Sequence, residues 1–148
     1  MRPQTKLKWL LAADLLWIAF IFLHSLQTAE VSSQESGALL TLLKKIFPFL
    51  TMFLIRKAGH FFEFFVLGVL FVLTARCLRA LMQPPKRSPL FLLWAPAAAG
   101  LIIAACDEAI QLGVEGRSGE LRDVFIDFCG VLIAAALLWA ARRKDKTG

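Results

Sequence analysis

Residues 58–78 read AGHFFEFFVLGVLFVLTARCL, and this stretch decides the fold class of the chain. An α-helix needs about 20 mostly apolar residues to cross the hydrocarbon part of a bilayer. This stretch has that length, follows Arg56 and Lys57, and ends between Arg76 and Arg79. It is therefore predicted to be a transmembrane helix flanked by basic residues.

Three more apolar segments have the same character, at about residues 9–26, 90–112 and 122–141. The first could also be a secretory signal peptide, but residues 25–29 make a poor cleavage site, so a retained helix is expected. The proline-rich segment 83–89 cannot continue a helix, and residues 113–121 form a second turn. The whole chain, 1–148, is predicted to be one all-α membrane bundle of four transmembrane helices.

The composition supports a membrane environment. Of the 148 residues, 58% are hydrophobic and only 19% are charged, which is unusual for a soluble domain of this size. The net charge of +6 comes from basic residues in short groups between apolar blocks, a pattern typical of membrane-flanking loops rather than of nucleic-acid-binding surfaces. The three cysteines lie inside apolar blocks, without metal-knuckle or disulfide spacing.

The segment between the first two spans differs from the rest. Residues 30–36 are polar, and the apolar run that follows is interrupted by Lys44, Lys45 and Pro48. This run is too short and too broken for a span. An interfacial or re-entrant helix at about residues 38–55 is predicted on the outer side.

The distribution of Lys and Arg predicts the orientation. Eleven of the 17 basic residues lie at the N-terminus, after the second span and at the C-terminal end. Because short cytoplasmic loops carry an excess of Lys and Arg, both termini are predicted to be cytoplasmic.

Polar residues of three spans fall at one depth in this topology, near the outer helix ends. Charged groups within a bilayer are costly, so their positions indicate function or structure-forming contacts. Small residues at positions 97, 100 and 104 predict that the third span packs closely. The polar residues are His60 and Glu63 on the second span, Asp107, Glu108 and Gln111 on the third, and Asp123 and Asp127 on the fourth.

These acidic residues would repel one another unless they are protonated, paired with basic groups or bound to a cation. A divalent cation (Mg, Mn or Zn) is the cofactor considered. The candidate metal ligands are Glu63, Asp107, Glu108, Asp123 and Asp127. If the site is catalytic, its reacting residues are predicted to be His60, Glu63 and Asp127, with His60 or a carboxylate as general base.

Other residues are predicted to contact a ligand. Basic side chains at the rim of the site would hold phosphate or carboxylate groups. The candidate ligand-binding residues are Ser25, Arg56, Lys57, Gln111, Arg117 and Arg122, and His24 lies at the right level to join them. Polar residues of this kind could also only hydrogen-bond helices together, Asp123 could cap the fourth span, and Asp14 is interpreted as structural.

The chain resembles the VanZ-like family of bacterial membrane proteins in three ordered motifs. They are residues 56–64 (RKAGHFFEF) with Leu67 and Gly68, residues 106–111 (CDEAIQ), and residues 116–124 (GRSGELRDV) with Asp127 and Gly130. Residues 22–25 (FLHS) resemble the serine-bearing end of the family's first helix. Phe64 stands where the family often has tyrosine, and Ala109-Ile110-Gln111 where a histidine commonly precedes the glutamine. If that histidine is a metal ligand in relatives, its absence here would weaken a shared metal role.

The resemblance implies a multi-pass protein of the bacterial plasma membrane, and the family's name derives from resistance to the glycopeptide teicoplanin. Three functions stay open. The first is binding of a membrane lipid or cell-wall precursor in a polar pocket near the outer face, with a link to glycopeptide susceptibility. The second is a metal-dependent hydrolase or transferase acting on an envelope lipid, although no complete catalytic signature is present. The third is a small transporter.

Overall fold

The structure is a computed structural model that describes residues 2–82 and 90–144, with side chains up to residue 141. Within these ranges the regular secondary structure is entirely helical. The helices are α1 (Pro3–Ser25), α2 (Ala29–Lys44), α3 (Met52–Leu81), α4 (Phe91–Gln111) and α5 (Leu121–Lys144). The predicted loop at 83–89, with Lys86 and Arg87, and Lys146 in the C-terminal tail lie outside the described residues.

Helices α1, α3, α4 and α5 are long and apolar enough to cross a membrane. Large apolar side chains on them face outward, as a lipid environment requires: Leu16 is 73% exposed and Trp94 is 65% exposed. The predicted all-α membrane fold is confirmed. Helix α3 has 30 residues, so at about 1.5 Å per residue it is longer than the hydrocarbon core is thick.

The predicted bounds of the interfacial helix, about residues 38–55, were wrong. Helix α2 occupies Ala29–Lys44, earlier than predicted, because the hydroxyl of Thr28 accepts a hydrogen bond from the amide of Val31 and caps a helix in the polar segment. The helix ends before Pro48. Residues 52–55 belong to α3, which begins after its own N-cap, Thr51.

The core lies where α3 meets α5, and these two backbones touch. A Cβ atom added at Gly130 would lie 2.6 Å from the carbonyl oxygen of Phe61, and one at Gly68 would lie 2.8 Å from the Cα of Val131. Small residues therefore set the distance between the two helices. The fully buried side chains of the core are Ile21, Phe64, Leu67, Ala104 and Val131.

Helix α4 packs against the same part of α5. Gly100 leaves room for Val131, whose methyl groups would be 2.7 Å from an added Cβ. Ala97 and Ala104 are buried on either side of this contact. The small residues predicted on this span thus do form a close helix–helix contact.

One end of the bundle carries the candidate site, and we call it the upper end. There α1 and α4 finish, α3 and α5 begin, and α2 and the loop at residues 112–120 lie close by. The lower half holds a separate polar contact, in which the Thr74 hydroxyl donates a 2.7 Å hydrogen bond to buried Asp14. This contact joins α1 to α3 and fits the structural role expected for Asp14.

Candidate functional site

The last turn of α4 contributes three buried polar side chains: Asp107, Glu108 and Gln111. The Gln111 amide donates to an oxygen of Asp107 at 3.1 Å and to one of Glu108 at 3.3 Å. The hydroxyl of Ser25, at the end of α1, donates a 2.6 Å hydrogen bond to the other oxygen of Asp107. The two carboxylates are therefore held in fixed orientations, and α1 is tied to α4.

The loop after α4 folds back onto the same residues. The backbone amide of Glu120 donates a 2.8 Å hydrogen bond to Glu108. Gly119 permits this approach, since an added Cβ would lie 2.6 Å from the Glu108 carbonyl oxygen. Gly116 turns the loop with a φ of 73°, in the left-handed region that favours glycine.

His60 on α3 faces Asp127 on α5, with 3.4 Å between Nδ1 and Oδ1. Asp127 is completely buried, at 0% exposure. Neither of its carboxylate oxygens has a hydrogen-bond partner among the described residues, and neither does His60 Nδ1. This pair therefore differs from Asp107 and Glu108, whose oxygens accept hydrogen bonds.

The helix ends bring these residues into one group, which we call the acid cluster: His60, Asp107, Glu108 and Asp127. Each offers a ligand atom, and these atoms lie within 4.8 Å of one another. His60, predicted as a general base, thus stands among the predicted metal ligands. The spacing of the polar residues along three helices predicted that they come together at one end of the bundle. It did not predict which of them form the group.

Glu63 lies outside the acid cluster. Its carboxylate contacts Nδ1 of His24 at 2.7 Å, and its backbone carbonyl accepts a hydrogen bond from the Trp17 indole. Positions 60 and 63 are three residues apart, so on a helix they diverge by about 60°. His60 consequently faces α5 whereas Glu63 faces α1.

Asp123 is also separated from the acid cluster. Both of its oxygens contact the ammonium group of Lys57, at 2.5 and 2.7 Å. Asp123 lies in the first turn of α5, where it could have capped the helix. Its carboxylate instead forms this ion pair with α3. Of the five predicted metal ligands, Asp107, Glu108 and Asp127 therefore lie together in the acid cluster. The other two, Glu63 and Asp123, contact the basic side chains of His24 and Lys57 instead.

Arg117 connects the loop to α1. Its guanidinium donates to the backbone carbonyls of His24, Ser25 and Gln27 at 3.2–3.4 Å, at the end where α1 exposes unpaired carbonyls. Its Nε has no hydrogen-bond partner among the described residues. Burial and the nearby charge of Arg56 lower the pKa of Arg117.

Arg122 lies at the exposed rim. It contacts Glu120 at 2.8 Å, and this hydrogen bond, together with the charge of Lys57, lowers the pKa of Glu120. Arg122 and Lys57 both stand 5.4 Å from the centre of the Phe53 ring. Two of the predicted ligand-binding residues are therefore already engaged by acidic and aromatic groups.

Two cavities open at the upper end. The α2 cavity, of about 210 Å³, lies beside α2 and is lined by residues that include His24, Glu35 and His60. The loop cavity, of about 290 Å³, is lined by residues that include Lys57, Ser118 and Asp123. Arg56 and Arg117 line both.

Arg56 differs from the other basic residues of the site. It makes no hydrogen bond or ion pair with any residue in the described ranges, and its side chain is exposed. Lys57, Arg117 and Arg122 all have protein partners. Arg56 is thus the cation of this site that is available to a ligand.

The comparisons with known proteins agree with the membrane fold. The sequence pattern of the VanZ/LLP1 family matches residues 10–142, nearly the whole chain. The protein therefore belongs to the VanZ/LLP1 family of membrane proteins. No curated protein and no solved structure matches the chain.

Several site residues were missed from sequence. Glu35 lies 3.6 Å from His24 Nε2 because α2 folds over the upper end. The backbone amide of Glu120 donates to the Glu108 carboxylate, and the Trp17 indole donates to the backbone carbonyl of Glu63. The only available signal was the N-cap pattern at Thr28, which starts α2 early and so brings Glu35 to the site.

Proposed function

We propose that the protein binds the anionic head group of an amphiphile, either a membrane lipid or a lipid-linked cell-wall precursor. The Arg56 guanidinium, which lines both cavities and has no partner within residues 2–82 and 90–144, is the observation that carries this proposal. Guanidinium groups bind phosphate and carboxylate through paired hydrogen bonds. Arg117 lines both cavities as well, while its guanidinium donates to the backbone carbonyls at the end of α1.

The surroundings suit an amphiphile. Large apolar side chains of α2 and the segment after it are exposed, and one of them, Leu39, lines the α2 cavity. They include Leu39, Leu42, Ile46, Phe47 and Phe49. Such a surface can contact acyl chains while the head group reaches Arg56, a combination that a purely water-soluble anion would not need.

The proposed location is the bacterial plasma membrane, with both termini cytoplasmic and the upper end outward. The basic residues near the lower end, such as Lys6, Lys8, Arg76 and Arg79, support this orientation. In this orientation the ligand comes from the outer leaflet, where cell-wall precursors are used. A link to glycopeptide susceptibility would act through such a precursor.

A metal-dependent hydrolase or transferase is the second candidate. It is favoured by His60, which lines the α2 cavity and also belongs to the acid cluster. A head group held at Arg56 would therefore lie beside the acid cluster, in which a carboxylate could act as general base if His60 holds the metal. Turnover of an envelope lipid by the wild type, lost in His60→Gln with lipid binding retained, would establish this candidate.

The binding proposal is tested by native mass spectrometry of detergent-purified protein with phosphatidic acid, phosphatidylglycerol and phosphatidylcholine. We expect the anionic lipids to bind preferentially, and Arg56→Gln to weaken them about 10-fold, the effect of one charged hydrogen bond. Lys8→Gln, which removes another exposed cation, at the lower end, is the matched control. Equal binding of all three lipids, or equal losses in both variants, would refute the proposal.

A further inference from the structure

We infer that the acid cluster, His60, Asp107, Glu108 and Asp127, binds one divalent transition-metal ion. The four side chains come from three helices and present one imidazole nitrogen and three carboxylate oxygens within 4.8 Å of one another. The site is separate from the proposed anion site, since neither Arg56 nor Arg117 belongs to it.

Asp127 supplies the independent observation. A carboxylate without hydrogen bonds or a counter-charge is costly to bury. Asp127 is 0% exposed, yet both of its oxygens lack a hydrogen-bond partner among the described residues. His60 reaches it only at 3.4 Å, with Nδ1 also unpartnered. A cation between them would engage all three atoms.

The α4 side of the site has the arrangement that holds metal ligands in place. Ser25 and Gln111 donate to the two oxygens of Asp107, and the Glu120 amide donates to Glu108. Hydrogen bonds of this kind orient coordinating carboxylates and leave lone pairs free for the ion. The cluster therefore combines two pre-oriented ligands with two unpartnered ones.

The size and chemistry of the group restrict the ion. Metal–ligand bonds of about 2.0–2.2 Å place the four ligand atoms of a tetrahedral ion about 3.3–3.6 Å apart. Ligand atoms that now lie within 4.8 Å of one another would therefore move together by at most about 1.5 Å when the ion binds. The imidazole favours Zn²⁺ over Mg²⁺ and Ca²⁺, and the three carboxylates beside it also suit Mn²⁺. Three carboxylates more than balance the charge of the ion. His60 also lines the α2 cavity, which gives the ion a route from the surface.

The test uses full-length protein in detergent, stripped with EDTA and then offered Zn²⁺, Mn²⁺ or Mg²⁺ separately. Elemental analysis after desalting should find about one Zn²⁺ or Mn²⁺ per chain and little Mg²⁺. Asp127→Asn and Glu108→Gln should each weaken binding about 100-fold or more, because removing a ligand exceeds the 10–100-fold cost of removing its supporting hydrogen bonds. Co²⁺ should give visible absorption bands that His60→Gln alters.

Asp14→Asn is the matched control, since Asp14 is a buried membrane carboxylate of the lower half. It should bind metal as the wild type does. Gel filtration and circular dichroism identify any variant that fails to fold, and the remaining two ligand variants then decide the result. Wild type without stoichiometric metal, or folded ligand variants with unchanged affinity, would overturn the inference in favour of protonated carboxylic acids.

Discussion

Lys57 places a positive charge in a largely enclosed position at the start of α3. Its side chain is 17% exposed, and its ammonium contacts both oxygens of Asp123, which is 7% exposed. Breaking a buried pair by removing one partner is costly because the other charge stays buried. This pair therefore joins α3 to α5 at the level of the site.

We expect Lys57→Met to lower the free energy of unfolding by about 3 kcal/mol, since Asp123 would be left without its counter-charge. The measurement is SDS titration of the protein in mixed micelles. The double variant Lys57→Met/Asp123→Asn should recover much of the loss. Arg122→Gln, which breaks an exposed pair, should change the stability little, because solvent screens such pairs. Equal effects of Lys57→Met and Arg122→Gln would contradict this account.

Gly130 gives a second prediction about single residues. Gly130→Ala should destabilise the protein by about 1–3 kcal/mol, because the added Cβ meets the α3 backbone rather than a movable side chain. Gly59→Ala is the control, since nothing lies within 4 Å of its added Cβ. Thermal unfolding of the two variants in detergent distinguishes them. A Gly130→Ala variant that is more stable than the wild type would contradict this account, because α3 and α5 would then move apart without cost.

Among the elements, the four spans could be predicted because each is a long apolar block between basic or turn-forming residues. The small residues 97, 100 and 104 likewise predicted a close contact on α4. Helix α2 was mislocated because its first half is polar and its start depends on the N-cap Thr28. The rotation of each helix about its axis could not be predicted, and this rotation sends Glu63 to His24 and Asp123 to Lys57.

The loop at 112–120 is held to the end of α1 by Arg117, which gives a prediction for this element. Arg117→Gln should remove the hydrogen bonds to three α1 carbonyls and increase hydrogen exchange in the loop about 10-fold, as expected when local opening becomes about 1.4 kcal/mol easier. Exchange measured by mass spectrometry checks this. Arg122→Gln should leave the exchange rate of the loop almost unchanged, and a similar increase there would argue against the anchoring role.

At the scale of the molecule, an even number of spans places the two ends of the described chain on the same side of the membrane. The upper end, with α2 and the loop at 112–120, then faces the opposite side. The acid cluster, the α2 cavity and the loop cavity lie toward that side. The lower half of the described bundle is mainly apolar. Its buried carboxylate, Asp14, accepts a hydrogen bond from Thr74.

The orientation is tested by cysteine labelling of intact cells, after Cys77, Cys106 and Cys129 are replaced by alanine. Glu115→Cys, in the exposed loop, should react with a membrane-impermeant maleimide. Lys6→Cys should react only after the cells are permeabilised. The reverse pattern would place the upper end on the cytoplasmic side and remove the outer leaflet as the source of the head group proposed to bind at Arg56.

The acids at the end of α4 also bear on how the chain enters the membrane. Of the four spans, α4 has the least apolar window, and it contains Pro96 as well as Asp107 and Glu108. Each acid makes release from the translocon into lipid less favourable. Helix α5 follows after a short connection and covers the same face of α4. We therefore expect α4 to leave the translocon together with α5 as a helical hairpin, so that its acids meet protein before they meet lipid.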